Sequence, residues 1–135
     1  MRIAVISVPG RRQIPDYVKS LARGMESMGH RVDLLDAWTE DGFRLPGYEY
    51  IAVCAEAASS WGGKMPDVLS KILGSGSGLV GKKSAAFLKK TGPFFVNKAL
   101  TNLMRAMEKE GMLVNWSEIL INAQQAEALG KRIGS

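Results

Sequence analysis

The stretch Ile3-Ala4-Val5-Ile6-Ser7-Val8 has no polar face. Successive side chains of a strand point to opposite sides, so a run apolar on both sides must be covered on both. That is the situation of a parallel strand inside an α/β sheet. Four more segments read as strands: Arg31 to Asp36, Tyr50 to Ala55, Lys83 to Leu88 and Leu113 to Leu120. Helical stripes separate them. Pro9-Gly10 breaks the first strand; Pro15 then opens a helix, with Asp16 in the first turn where the helix dipole favours an anion. Val18, Leu21, Ala22, Met25 and Met28 share one face of it, and Gly29 stops it. Pro66 opens a short helix with Val68, Leu69, Ile72 and Leu73 inward. A longer helix turns Val96, Ala99, Leu100, Leu103 and Met107 inward, with Phe95 at the head of that inner face, and ends at Gly111. Asn122 caps a last helix with Gln125 as its capping-box partner; Ala123, Ala126, Leu129 and Ile133 form the apolar edge. Residues 37–47 carry Gly42, Pro46 and Gly47 without a helical stripe and read as a loop or a short turn of helix. Strands alternating with helices imply an α/β protein, a three-layer α/β/α sandwich around a five-stranded parallel sheet, formed as a single domain over residues 1–135.

The chain's 135 residues suffice to bury a core without metal or disulfide staples. A hydrophobic content of 46% and a charged content of 23% are ordinary for a globular protein. The one cysteine, Cys54, rules out an internal disulfide and sits in an apolar run, where a thiol behaves as a small buried hydrophobe. With one His and one Cys, no metal site stands on these spacings. His30, at the exit of the first helix, reads as a surface residue, and no acid/base or nucleophile–base constellation marks a catalytic residue. Net charge is +5, but the basic residues come as scattered pairs, Arg11-Arg12, Lys82-Lys83, Lys89-Lys90 and Lys131-Arg132, without interleaved aromatics. That describes a solvated basic surface rather than a nucleic-acid platform. No apolar stretch reaches bilayer length, and the N-terminus lacks a signal-peptide layout, so the chain reads as cytoplasmic with no membrane partner.

Residues 76–81, Gly-Ser-Gly-Leu-Val-Gly, match G-x-G-x-x-G. A dinucleotide fingerprint must follow the first strand and open a helix, so that a pyrophosphate meets the helix N-terminus. Here the glycines follow a helix and lead into a strand, which makes them a linker.

In an open parallel sheet, ligands bind outside the carboxyl ends of the strands. Three connectors leave that edge with suggestive residues. The first, Ser7-Val8-Pro9-Gly10-Arg11-Arg12-Gln13, offers a hydroxyl, backbone N–H groups and forked arginine donors to an anion; it also reads as an ordinary turn with two solvated arginines. The second runs from Glu56 to Pro66 and places Ser59, Ser60, Trp61, Gly62 and Gly63 together. Trp61 can stack on a planar ring, pack on its own loop or fill a dimer contact. The third, Lys89 to Phe95, contains Thr91, Gly92 and Phe94, the last free to line a pocket.

With these connectors the chain resembles the flavodoxin-like family over nearly its whole length, in its short-chain form. Tyr48-Glu49-Tyr50-Ile51-Ala52-Val53-Cys54-Ala55-Glu56, running on to Trp61-Gly62-Gly63 and Pro66, is similar to that family's third strand and the aromatic and Gly-Gly ahead of its next helix. Gly81-Lys82-Lys83-Ser84-Ala85-Ala86-Phe87 resembles its approach to strand four. In the first connector Ser7 and Gly10 match the family pattern, while Pro9, Arg11 and Arg12 stand at hydroxyl-bearing positions; Ala58 and Ser60 replace a common Pro and aromatic. The resemblance implies a sheet order of 2-1-3-4-5. It also implies an FMN cofactor, its phosphate in the first connector (Ser7 to Gln13) and its ring between the second (Ser59 to Gly63) and the third (Thr91, Gly92, Phe94).

Two functions follow as expectations. The first is an FMN-binding flavoprotein for electron transfer or flavin-dependent reduction, an oxidoreductase or carrier working with a redox partner protein or a small-molecule electron acceptor. The second is a flavin-free binding or regulatory module of the same fold. A homodimer that buries Trp61 is compatible with either.

Overall fold

The computed structural model describes residues 1–8, 13–42, 44–56, 63–75, 78–93 and 95–133. In chain order it contains β1 (Arg2–Ser7), α1 (Asp16–Ser27), β2 (Arg31–Asp36), a 3-10 turn (Leu45–Gly47), β3 (Tyr50–Glu56), α2 (Asp67–Ser75), β4 (Lys83–Lys89), α3 (Val96–Lys109), β5 (Leu113–Leu120) and α4 (Ala123–Gly130). The strands pair in parallel in the order β2-β1-β3-β4-β5, as expected.

The central strands are buried on both faces, which is why their sequences carry no polar stripe. On one face Ile6, Val53 and Leu88 pack beneath α2 and α3 with Leu69, Leu73, Leu103 and Met107. On the other, Val5, Cys54 and Phe87 pack beneath α1 and α4 with Val18, Leu21 and Leu129. Each fully buried aliphatic or aromatic side chain contributes about 1.5–3 kcal/mol relative to exposure. Cys54 is fully buried, and burial pushes its thiol up from the usual range.

The edge strand β5 is tied inward. It gains a bulge at Asn115, between the pairs Ser84↔Val114 and Ala85↔Trp116. The Tyr50 hydroxyl donates to Asn115 Oδ1 at 2.8 Å, and Trp116 meets Phe87 edge-on at 5.2 Å between centroids. At the other end of the chain Asn122 Oδ1 accepts from the Gln125 N–H at 2.8 Å, while Gln125 Oε1 accepts from the backbone N–H of Ile121. The cap forms as the sequence indicates, with the reciprocal bond reaching one residue further back.

Three expectations are corrected. Met28 is 54% exposed, because α1 ends at Ser27 and the capping turn rotates the side chain off the apolar face. Phe95 does not head the inner face of α3: it is the N-cap, held at φ 65°, and is 43% exposed. His30 fastens chain ends rather than standing on the surface alone. Its Nε2–H donates to the Ile133 carbonyl at 2.9 Å, and the Met1 ammonium donates to Nδ1 at 3.1 Å. A carbonyl can only accept, which fixes the tautomer.

The Gly78–Gly81 half of the glycine motif lies between α2 and β4, at the amino end of the sheet, as a helix-to-strand connection. Gly76 and Ser77 lie outside the described residues.

Candidate functional site

The order β2-β1-β3-β4-β5 puts the carboxyl ends of β1, β3 and β4 in a row: Ser7 pairs with Cys54, Cys54 with Phe87 and Glu56 with Lys89. The crossover from β1 goes to one side, to β2, and the chain then returns to place β3 on the other. Such a switch point opens a crevice above the strand ends. The three connectors singled out from sequence all leave this edge.

Of the first connector, Ser7 is fully buried at the end of β1, and Val8 is buried with its N–H donating to the Cys54 carbonyl at 2.9 Å. Gln13 is exposed on the way into α1. Of the second, Gly63 is buried at φ 86°, a conformation that favours glycine. Its carbonyl accepts from Asn102 Nδ2 at 2.8 Å, and a β-carbon there would stand 3.0 Å from Lys98 Cγ, so the connector's exit lies close against α3. Of the third, Thr91 is exposed and Gly92 half-buried, with open space where a Gly92 β-carbon would go. Pro9, Gly10, Arg11, Arg12, Ser59, Ser60, Trp61, Gly62 and Phe94 lie outside the described residues.

Two features of this edge escaped the sequence reading. Trp38, just past β2, reaches over the end of β1: its indole N–H donates to the Val8 carbonyl at 2.6 Å. Its backbone N–H binds Asp36 Oδ1 at 2.9 Å, while the N–H of Ala37 binds the Ser7 carbonyl at 2.9 Å. A tryptophan immediately after a strand was the available signal. The second feature is a polar group on the α1 side. The Tyr17 hydroxyl donates to Glu56 Oε1 at 3.2 Å, and Lys89 Nζ lies 5.8 Å from the Tyr17 ring centroid while donating to the Lys90 carbonyl at 3.1 Å. Burial, then the nearby Cys54 and Glu56, push the Tyr17 phenol far above its usual range, so it remains a hydrogen-bond donor. Tyr17, Glu56 and Lys89 come from three elements far apart in sequence and meet only because β3 and β4 end side by side under the start of α1.

In sequence the three connectors carry cationic and hydroxyl-bearing residues, glycines and, in the second, a tryptophan. The recesses at other edges are of another kind. One of about 510 Å³ beside β2 is lined by Asp33, Glu40, Asp41 and Arg44, with the Tyr48 hydroxyl donating to Asp33 Oδ2 at 2.7 Å. Another of about 480 Å³ lies at the amino end of the sheet beside Val80 and Lys83. Neither is lined by the three connectors.

No family model matches the sequence, and no curated protein matches it. Solved structures do match the fold. A flavodoxin from the domain Archaea superposes with a TM-score of 0.74 at 19% identity, covering 98% of this chain and 96% of that one. Flavodoxin 2 of Bacillus cereus gives 0.75 at 18% identity over 98% and 94% of the two chains. A flavodoxin, WrbA-like protein from Agrobacterium tumefaciens gives 0.70 at 15%, over 98% and 94%. Among the described residues no helix is long and apolar enough to cross a membrane. Parallel strand order, helix placement and end-to-end superposition agree: this chain has the flavodoxin-like fold.

Proposed function

We propose that the protein binds FMN at the carboxyl edge of β1, β3 and β4 and serves electron transfer or a flavin-dependent reduction. The observation that carries this reading is the row formed by the ends of those three strands, from which three connectors of suitable chemistry depart at one edge. The flavin would supply the redox chemistry. The chain would bind and orient it: residues 7–13 toward the phosphate, Trp61 against the ring, and the backbone of Gly62, Gly63 and Gly92 at the ring's polar edge. Thr91 and Phe94 would complete the wall. Its electron-exchange partner would be a redox protein or a small-molecule acceptor.

The test is direct. Protein mixed with FMN and freed of excess ligand should be yellow, with quenched flavin fluorescence. A colourless preparation with no binding at high micromolar FMN overturns the reading. The replacement of hydroxyl-bearing positions by Pro9, Arg11 and Arg12 favours the second reading, a flavin-free binding module. That reading gains if the protein remains colourless.

A further inference from the structure

The free edge of β5 is closed by a side chain. The Leu120 carbonyl turns toward β4, where it accepts from the Lys90 N–H at 2.9 Å. Backbone groups of a strand point to its two edges in alternation, so those of Ile119 and Ile121 turn away from the sheet. Gln125, on the first turn of α4, reaches back over that edge. Its Nε2 donates to the Ile119 carbonyl at 3.1 Å, and its Oε1 accepts from the Ile121 N–H. A donor to the residue before Leu120 and an acceptor for the residue after it reproduce the way a parallel neighbour bridges a strand. The Gln125 amide stands where a peptide group of a sixth strand would stand.

This edge has need of closure. Between Leu113 and Ile121 the one charged residue is Glu118, which accepts from the Trp116 indole N–H at 3.2 Å. Leu113 and Ile121 are 56% and 62% exposed. An apolar edge strand with open backbone groups is a template for another chain. The opposite edge, β2, is defended by charge, with Arg31, Asp33 and Asp36 along it. On β5 the bulge at Asn115 disrupts pairing toward the amino end, and Gln125 occupies the carboxyl end. A short gap from Trp116 to Glu118 is left between them.

From this we infer that Gln125 is an edge guard: it holds β5 against pairing with a second copy of this chain, and the edge beneath it is a latent self-association surface. A second copy fits because two β5 strands, antiparallel about a two-fold axis, bring together apolar edges in a chain whose net charge of +5 is carried elsewhere. Such a contact uses the same surface on both molecules and closes at a pair. The inference stands apart from the flavin reading.

The experiment is sedimentation velocity over a concentration series, on the full chain. Gln125→Leu keeps the side chain's approximate size and the helix but neither hydrogen bond. It is expected to pair at least about tenfold more tightly than the wild type, as two uncovered backbone groups become available to a partner. Adding Ile121→Lys, which puts a charge on the same edge, should return it to wild-type behaviour. Trp38→Phe, a destabilising change at the other side of the sheet, should sediment as the wild type. Circular dichroism checks that each variant is folded, and Gln125→Ala replaces the leucine variant if that one does not fold. A folded Gln125 variant that sediments as the wild type overturns the inference. So does equal association of Trp38→Phe, or association that Ile121→Lys leaves intact.

Discussion

The indole N–H of Trp38 donates to the carbonyl of Val8 at 2.6 Å, joining the segment after β2 to the start of the first connector. The bond is half-buried, and Trp38 itself is held by Asp36 through its backbone N–H at 2.9 Å. Trp38→Phe keeps a ring of similar shape but leaves the Val8 carbonyl without its donor. Denaturant unfolding should show a loss of about 1–3 kcal/mol. If the first connector receives the phosphate, affinity for FMN should fall more than affinity for riboflavin. Equal losses for both would remove the connection to the phosphate arm.

Gly24 and Gly130 face each other where α1 crosses α4. A β-carbon on Gly24 would stand 2.1 Å from the Glu127 carbonyl oxygen, and one on Gly130 would stand 2.2 Å from that of Leu21. Both obstacles are backbone, so the helices would have to separate. Gly24→Ala should lower stability by about 1–3 kcal/mol, even though alanine is the better helix former by about 1 kcal/mol. A variant as stable as the wild type in a urea melt would mean that this crossing is looser than its geometry.

Phe95 is held at φ 65° as the N-cap of α3. A bulky residue in the left-handed region costs about 1–3 kcal/mol, and glycine adopts it freely. Phe95→Gly should raise the unfolding midpoint by an amount corresponding to about 1 kcal/mol, net of the ring's own contacts. A drop instead would show that those contacts outweigh the strain.

Stability should fall in alkali. Burial raises Cys54 and Tyr17 far above their ordinary values, and pushes the Tyr50 phenol up to about 12. Unfolded, a thiol ionises near pH 8.5 and a phenol near pH 10. Above those values the unfolded chain sheds protons that the folded chain keeps, so the stabilisation present below pH 8.5 is lost progressively as pH rises. Chemical melts from about pH 8 to 11 should show this fall, and Cys54→Ala should delay its onset toward the phenol range. A flat profile would contradict the burial of all three groups.

Trp61→Ala should weaken FMN binding by about 1–3 kcal/mol if the indole stacks on the ring, by analogy with base–aromatic stacking. Arg11→Ala combined with Arg12→Ala should bring FMN and riboflavin to similar affinities. Fluorescence titration reads both, and unchanged dissociation constants count against these roles.

The layered architecture was legible from local pattern alone. An uninterrupted run such as Ile3 to Val8 has no solvated side to offer, and the stripe of Ala99, Leu103 and Met107 repeats at helical spacing, so each element announces its type and the face it buries. Capping at Asn122 was equally local, because donor and acceptor lie three residues apart. The edge where a ligand would sit followed from the parallel sheet itself.

What the tertiary structure decided depends on residues distant in sequence. The alliance of Tyr17, Glu56 and Lys89, the reach of Trp38 to Val8, the contact of Gly24 with Gly130 and the clasp of His30 on Ile133 each join segments whose spacing carries no periodic signal. Local pattern sets which way a side chain points relative to its own helix or strand. Which side chain it meets is set by strand register and by how closely two helices pack. At Phe95, where the chain turns into α3, the demands of that turn prevail over the hydrophobicity of the residue, and a phenylalanine that reads as core ends exposed to solvent.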